Sequence, residues 1–126
     1  MSVVGIGTDI VQINRLAQMD APALERLAIR VLTPTELVNY HQLKFNIPYL
    51  AKRWAGKEAA AKALGTGIAN GVSFQHIEIQ SLESGQPILV FTDSALNIAM
   101  QLMAKTWHIS LSDEKEYATA FVVLSN

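Results

Sequence analysis

The chain has 126 residues, half of them hydrophobic, with ten lysines and arginines against eleven aspartates and glutamates and a formal net charge of −1. That suits one domain with one core, and the near-neutral balance excludes a polycation built for nucleic acid. There is no cysteine, which removes disulfides, thiolate zinc sites and cysteine nucleophiles together, and no apolar run approaches the roughly 20 residues of a membrane helix.

Met1 to Gly7 is apolar but lacks a charged segment before Asp9, so no signal peptide is expected and the reading is a soluble, cytoplasmic protein. Ser2 to about Thr8 reads as a buried, glycine-bearing strand ending at Asp9, followed by a short helical stretch through Leu16. Residues 22–31 space their apolar groups as a helix would. Thr33-Pro34-Thr35-Glu36 is a start signal for another helix: Thr33 caps, Pro34 suits the first turn, and Glu36 completes a capping box. That helix runs to about Leu43. Pro48 opens the longest helix, and Gly65-Thr66-Gly67 closes it.

Phe74–Leu82 alternates as a strand, and the Ser84-Gly85 turn leads into a second at Pro87–Phe91. Thr92 is placed to cap a helix carrying Leu96, Ala99, Met100 and Met103. Trp107–Ser112 and Tyr117–Leu124 are the last two strands. The sum is a single α+β domain over residues 1–126: strand, helices, two strands, helix, two strands, with mainly antiparallel, hairpin-type pairing.

The longest helix carries the most chemistry. In Trp54-Ala55-Gly56-Lys57-Glu58-Ala59-Ala60-Ala61-Lys62-Ala63 one carboxylate, Glu58, stands among Lys52, Arg53, Lys57 and Lys62. Glu58 and Lys62 share a face, and the alanines leave room beside them for something bulky. Such a set can hold a hard cation and phosphate, and the local excess of positive charge implies an anionic partner. The same spacing also fits a solvated surface pair worth roughly 0.2–0.5 kcal/mol.

The first strand delivers Asp9 beside Gly5 and Gly7, whose missing side chains permit close approach of a backbone or ligand. If Asp9 meets Glu58, two carboxylates supply what Mg²⁺ prefers, and Lys62 can neutralise charge on a phosphate. His108, Ser110 and Ser112 share one strand face, which also fits an ordinary half-exposed strand. A Ser-His-Asp hydrolase using Asp113 is disfavoured, because no Gly-x-Ser-x-Gly elbow is present. His41 and His76 read as surface residues without partners at metal-ligand spacing.

Taken in order, several motifs resemble the holo-[acyl-carrier-protein] synthases, the small bacterial type of 4′-phosphopantetheinyl transferase. These are Gly7-x-Asp9 leading to Arg15, the Lys57-Glu58-Ala59-x-x-Lys62 core, Gly65-Thr66-Gly67-Ile68 with Asn70-Gly71, Gly85-x-Pro87, and His108-x-Ser110-x-Ser112. Each is weak alone, but the ordered set spans nearly the whole chain. The resemblance implies the 4′-phosphopantetheinyl transferase fold and transfer of 4′-phosphopantetheine from coenzyme A to a serine of apo-acyl carrier protein, releasing 3′,5′-ADP, in fatty acid biosynthesis.

On matching positions, Asp9 and Glu58 would bind Mg²⁺, with Glu58 also the base for the serine proton, and Lys62 would contact the pyrophosphate. Gly65, Gly85, Pro87, His108 and Ser110 would border coenzyme A, and Arg15 would face the carrier protein. The family forms trimers with sites between subunits. Trp54 stands where phenylalanine is more usual, Gln86 replaces a basic residue, and Ala69 replaces an arginine. The alternatives are a broad-range transferase, for which the chain is too short, and a non-catalytic binding module, to which two acids bring nothing without metal.

Overall fold

The computed structural model describes residues 1–126. Along the chain come β1 (Val3–Gln12), α1 (Ile13–Ala17), α2 (Ala21–Val31), α3 (Pro34–Gln42), α4 (Ile47–Ala63), β2 (Ile77–Ser81), β3 (Pro87–Phe91), α5 (Asp93–Gln101), β4 (Thr106–Asp113) and β5 (Tyr117–Ser125). A 3₁₀ turn at Phe74–His76 precedes β2, so the strand expected from Phe74 begins three residues later. The element order and the α+β class are those expected from sequence.

Two antiparallel sheets form, one of three strands in the order β1-β5-β4 and one a β2-β3 hairpin. β1 is longer than expected and carries Asp9 inside it, opposite Ala120 of β5. The partner strand sets this length: β5 continues the ladder to Gln12↔Tyr117, past the residue where local signals change. Phe91 and Trp107 meet edge-to-face at 4.8 Å and join the two sheets.

α4 lies across the inner face of the three-stranded sheet, and glycine makes that contact possible. A Cβ added at Gly7 would sit 1.9 Å from the Ala59 carbonyl oxygen, and one at Gly5 would sit 2.1 Å from that of Ala63. The room beside the α4 alanines is therefore filled by β1 backbone, not by a ligand. Around this contact Leu16, Leu50, Ile77, Val122 and Leu124 are fully buried, each contributing about 1.5–3 kcal/mol.

Local capping follows the sequence at α3 and departs from it at α5. Thr33 Oγ1 accepts from the Glu36 N–H at 3.4 Å while Glu36 Oε1 accepts from the Thr33 N–H at 2.8 Å, closing the expected box. Thr92 makes no side-chain cap; its hydroxyl donates instead to the His76 carbonyl at 3.4 Å. After α4, Gly65 takes φ +83° and its N–H donates to Lys62 O at 3.0 Å, which ends the helix.

Candidate active site

From Leu50 to Ala63, every residue of α4 is buried except Lys52, Trp54, Glu58 and Lys62. Trp54, Glu58 and Lys62 are spaced four apart, so they form one open stripe down the helix. Asp9 joins the stripe at its C-terminal end. Lys62 Nζ donates to Asp9 Oδ1 and to the Thr8 carbonyl oxygen, each at 3.0 Å. Ile6, Thr8, Lys62 and Phe121 border a depression of about 350 Å³ beside this contact.

Glu58 is within electrostatic reach of Asp9. Burial, and then the Asp9 charge, push the Glu58 carboxyl up; Lys62 and Arg30 pull it back. Two carboxylates thus lie within electrostatic reach of each other, and one of them, Asp9, is bonded to the Lys62 ammonium. That donor set, two hard carboxylates that share the one Lys62 ammonium between them, fits Mg²⁺. No third His, Asp or Glu completes a cage. The remaining positions are left for water and phosphate oxygens, which is the usual habit of this ion.

The other cations of α4 point elsewhere, which corrects the picture of Glu58 ringed by positive charge. Lys57 is fully buried and pairs with Glu36 at 2.6 Å; burial lowers its pKa and Glu36 counters the shift. Lys52 pairs with Asp113 at 3.1 Å. Arg53 lies over the Tyr49 ring at 4.2 Å and donates from Nη2 to Ser81 Oγ at 3.1 Å. Its Nε is buried with no partner, at a cavity of about 510 Å³ that includes Thr35, Asn39 and Gln42. Helical rotation spreads five residues round the axis, so only Lys62 shares the face of Glu58.

Arg15 lies over the Trp54 ring at 5.8 Å, one helical turn from Glu58. Arg30, which the sequence did not single out, lies over the Phe74 ring at 5.4 Å and acts electrostatically on Glu58. Nothing local marks it: it is one cation in the last turn of an amphipathic helix.

The other expected site residues do not gather at Asp9 within one chain. Asp9 shares an inward row with Ala120 and Leu111, whereas Ser110 pairs with Phe121 and Thr8 on the outward face. His108, in the next outward row with Val123 and Ile6, is exposed. Gly85 forms the β2-β3 turn with φ +91°, and Pro87 pairs with Ser81, the partner of Arg53. This turn therefore meets α4 at Arg53, about 7.5 Å of helix rise from Glu58. Gly65 is exposed just beyond Lys62. His41 is exposed, as expected, and pairs on the surface with Glu25 at 2.8 Å.

Comparison with known proteins places this geometry. The model of the 4′-phosphopantetheinyl transferase superfamily matches residues 5–122. A holo-[acyl-carrier-protein] synthase of Shewanella frigidimarina is 55% identical over 126 residues, covering all of both chains. Among solved structures, the holo-[acyl-carrier-protein] synthase of Neisseria meningitidis is 38% identical with a TM-score of 0.90, covering 99% of this chain and 100% of its own. One from Bacillus anthracis, in complex with coenzyme A (3′,5′-ADP), is 37% identical with a TM-score of 0.80 over 97% of this chain and 96% of its own. The chain with Asp9, Glu58 and Lys62 on one open stripe belongs to the holo-[acyl-carrier-protein] synthases of the 4′-phosphopantetheinyl transferase superfamily.

Proposed function

We propose that this single domain transfers 4′-phosphopantetheine from coenzyme A to a serine hydroxyl of apo-acyl carrier protein, releasing 3′,5′-ADP, in cytoplasmic fatty acid biosynthesis. The observation that carries the reading is the meeting of Asp9, Glu58 and Lys62 on the open stripe of α4. Mg²⁺ held by Asp9 and Glu58 would neutralise the pyrophosphate and the departing 3′,5′-ADP. Lys62 binds a pyrophosphate oxygen, for which it exchanges its contact with Asp9.

The carrier serine oxygen attacks the β-phosphorus; its bond to phosphorus forms as the bridging P–O bond breaks. Glu58, beside Asp9 on the open stripe, is the base that takes the serine proton. The protein needs no nucleophile of its own, because alignment and charge neutralisation serve phosphoryl-group transfer. Arg15, beside Trp54 at the far end of the stripe, faces the acidic carrier. Arg53, buried without an acid partner next to the Gly85–Pro87 turn, is a second cation for the nucleotide end of coenzyme A.

The working form is a homotrimer with sites shared between subunits. Exposed Ile6, Ile10 and Phe121 on the outer sheet face support it, since the same face carries His108 and Ser110, which one chain alone leaves away from Asp9. Incubation with apo-carrier, coenzyme A and Mg²⁺ tests the whole reading: the intact carrier mass rises by one phosphopantetheine, and EDTA prevents the rise. An unchanged carrier mass with Mg²⁺ present refutes transfer.

A further inference from the structure

A buried charge pair stands directly behind the site. Lys57 has 0% exposure and Glu36 2%. The Lys57 ammonium donates to Glu36 Oε1 at 2.6 Å, to Val31 O at 2.7 Å and to Phe74 O at 3.2 Å. Glu36 also accepts from the backbone N–H of Thr33 at 2.8 Å and of Ile79 at 2.7 Å. All three ammonium protons and both carboxylate oxygens are used. One node thereby ties the end of α2, the start of α3, the 3₁₀ turn and β2 to the middle of α4.

A buried ion pair is a weak source of stability, because desolvation of both charges offsets most of their attraction. Its three grips, however, each adjoin a residue of the site. Lys57 precedes Glu58, Val31 follows Arg30, and Phe74 carries the ring under the Arg30 guanidinium. Adjacent helical residues leave the axis about 100° apart, so anchoring Lys57 inward sets the direction in which Glu58 emerges.

We propose that the Lys57–Glu36 pair is a positioning device that fixes the rotation of α4 and the end of α2, so that Glu58 and Arg30 face the reacting phosphate together. This rests on the transferase reading above. Neither partner touches substrate; both act through Glu58 and Arg30. Misplacement of a reacting group by about 1 Å costs on the order of 100-fold in rate, so a loosened anchor is visible in turnover before it is visible in binding.

The test compares the wild type with the double variant Lys57→Met/Glu36→Gln, which removes both charges together and strands neither. Leu89→Ala, a core truncation in β3, serves as the control for lost stability. The double variant is expected to unfold cooperatively, to keep its KM for coenzyme A within about threefold, and to lose about 10- to 100-fold in kcat. Mn²⁺ affinity in the presence of coenzyme A, read by electron paramagnetic resonance, is expected to fall about 10-fold. Leu89→Ala is expected to lower Tm at least as much and leave kcat of the folded protein unchanged.

A folded double variant with wild-type kcat and Mn²⁺ affinity overturns the proposal, as does a kcat loss no larger than that of Leu89→Ala. If the double variant does not fold, Glu36→Gln alone decides: a kcat loss without a KM change supports the device, and unchanged kcat overturns it. Failure of the wild type to modify carrier would refute the transferase reading itself, before any variant is compared.

Discussion

Glu58 is held where its charge is disfavoured, and the metal-free protein bears that cost. Burial and the Asp9 charge raise its pKa in the folded state above that of the unfolded chain, so the native state keeps the proton to higher pH. Stability must then fall as pH rises through the interval between the two values, the reverse of a salt-bridged carboxylate. Glu58→Gln is expected to match the wild type below the ordinary carboxyl value of 4.5 and to be the more stable of the two above the raised value. Thermal melts in EDTA across that pH range check this, and the same variant should lose transferase turnover even with saturating Mg²⁺. Lys62→Ala removes the ammonium bonded to Asp9 and is expected to lower kcat/KM for carrier modification by about 100- to 1,000-fold, measured by carrier mass.

Elements whose signals lie within a few residues were legible in the chain. The Thr33–Glu36 box closes within one turn, and the Ser110 alternation needs only its own strand. The length of β1 was not legible, because its ladder partner lies more than a hundred positions away and no local break marks Gln12. Packing of β1 on α4 leads to a prediction at this scale. Gly7→Ala would place a methyl 1.9 Å from the Ala59 carbonyl oxygen, so one of two backbones must shift. It is expected to destabilise the fold by about 1–3 kcal/mol in urea titration and to disturb Asp9, two residues on along the strand.

At the scale of the molecule, the outer sheet face is unusual for a protein working alone. Ile6 is 61% exposed, Ile10 59% and Phe121 49%, in rows that also hold His108, Ser112 and Ser110 respectively. Exposed apolar rows of this kind mark association surfaces. If this face builds the proposed homotrimer, Phe121→Glu is expected to give a folded monomer in light scattering and to abolish transfer. A fully active monomer would remove the case for sites shared between subunits.

The sequence by itself determined the order of elements, the α+β class, the motif set of the transferase family, and the stripe linking Glu58 to Lys62. These depend on spacing within single elements, which helical and strand periodicity translate directly into faces. Tertiary structure alone decided which charges serve the site. Lys57 and Lys62 are both lysines on one helix, five residues apart, yet one is buried against Glu36 and the other bonds Asp9 across 53 positions of chain. Arg30 acts electrostatically on Glu58 only because α2 folds back against α4. A side chain's type says what it can do, but its solvent exposure and its neighbours decide what it does, and both are set by packing between distant segments.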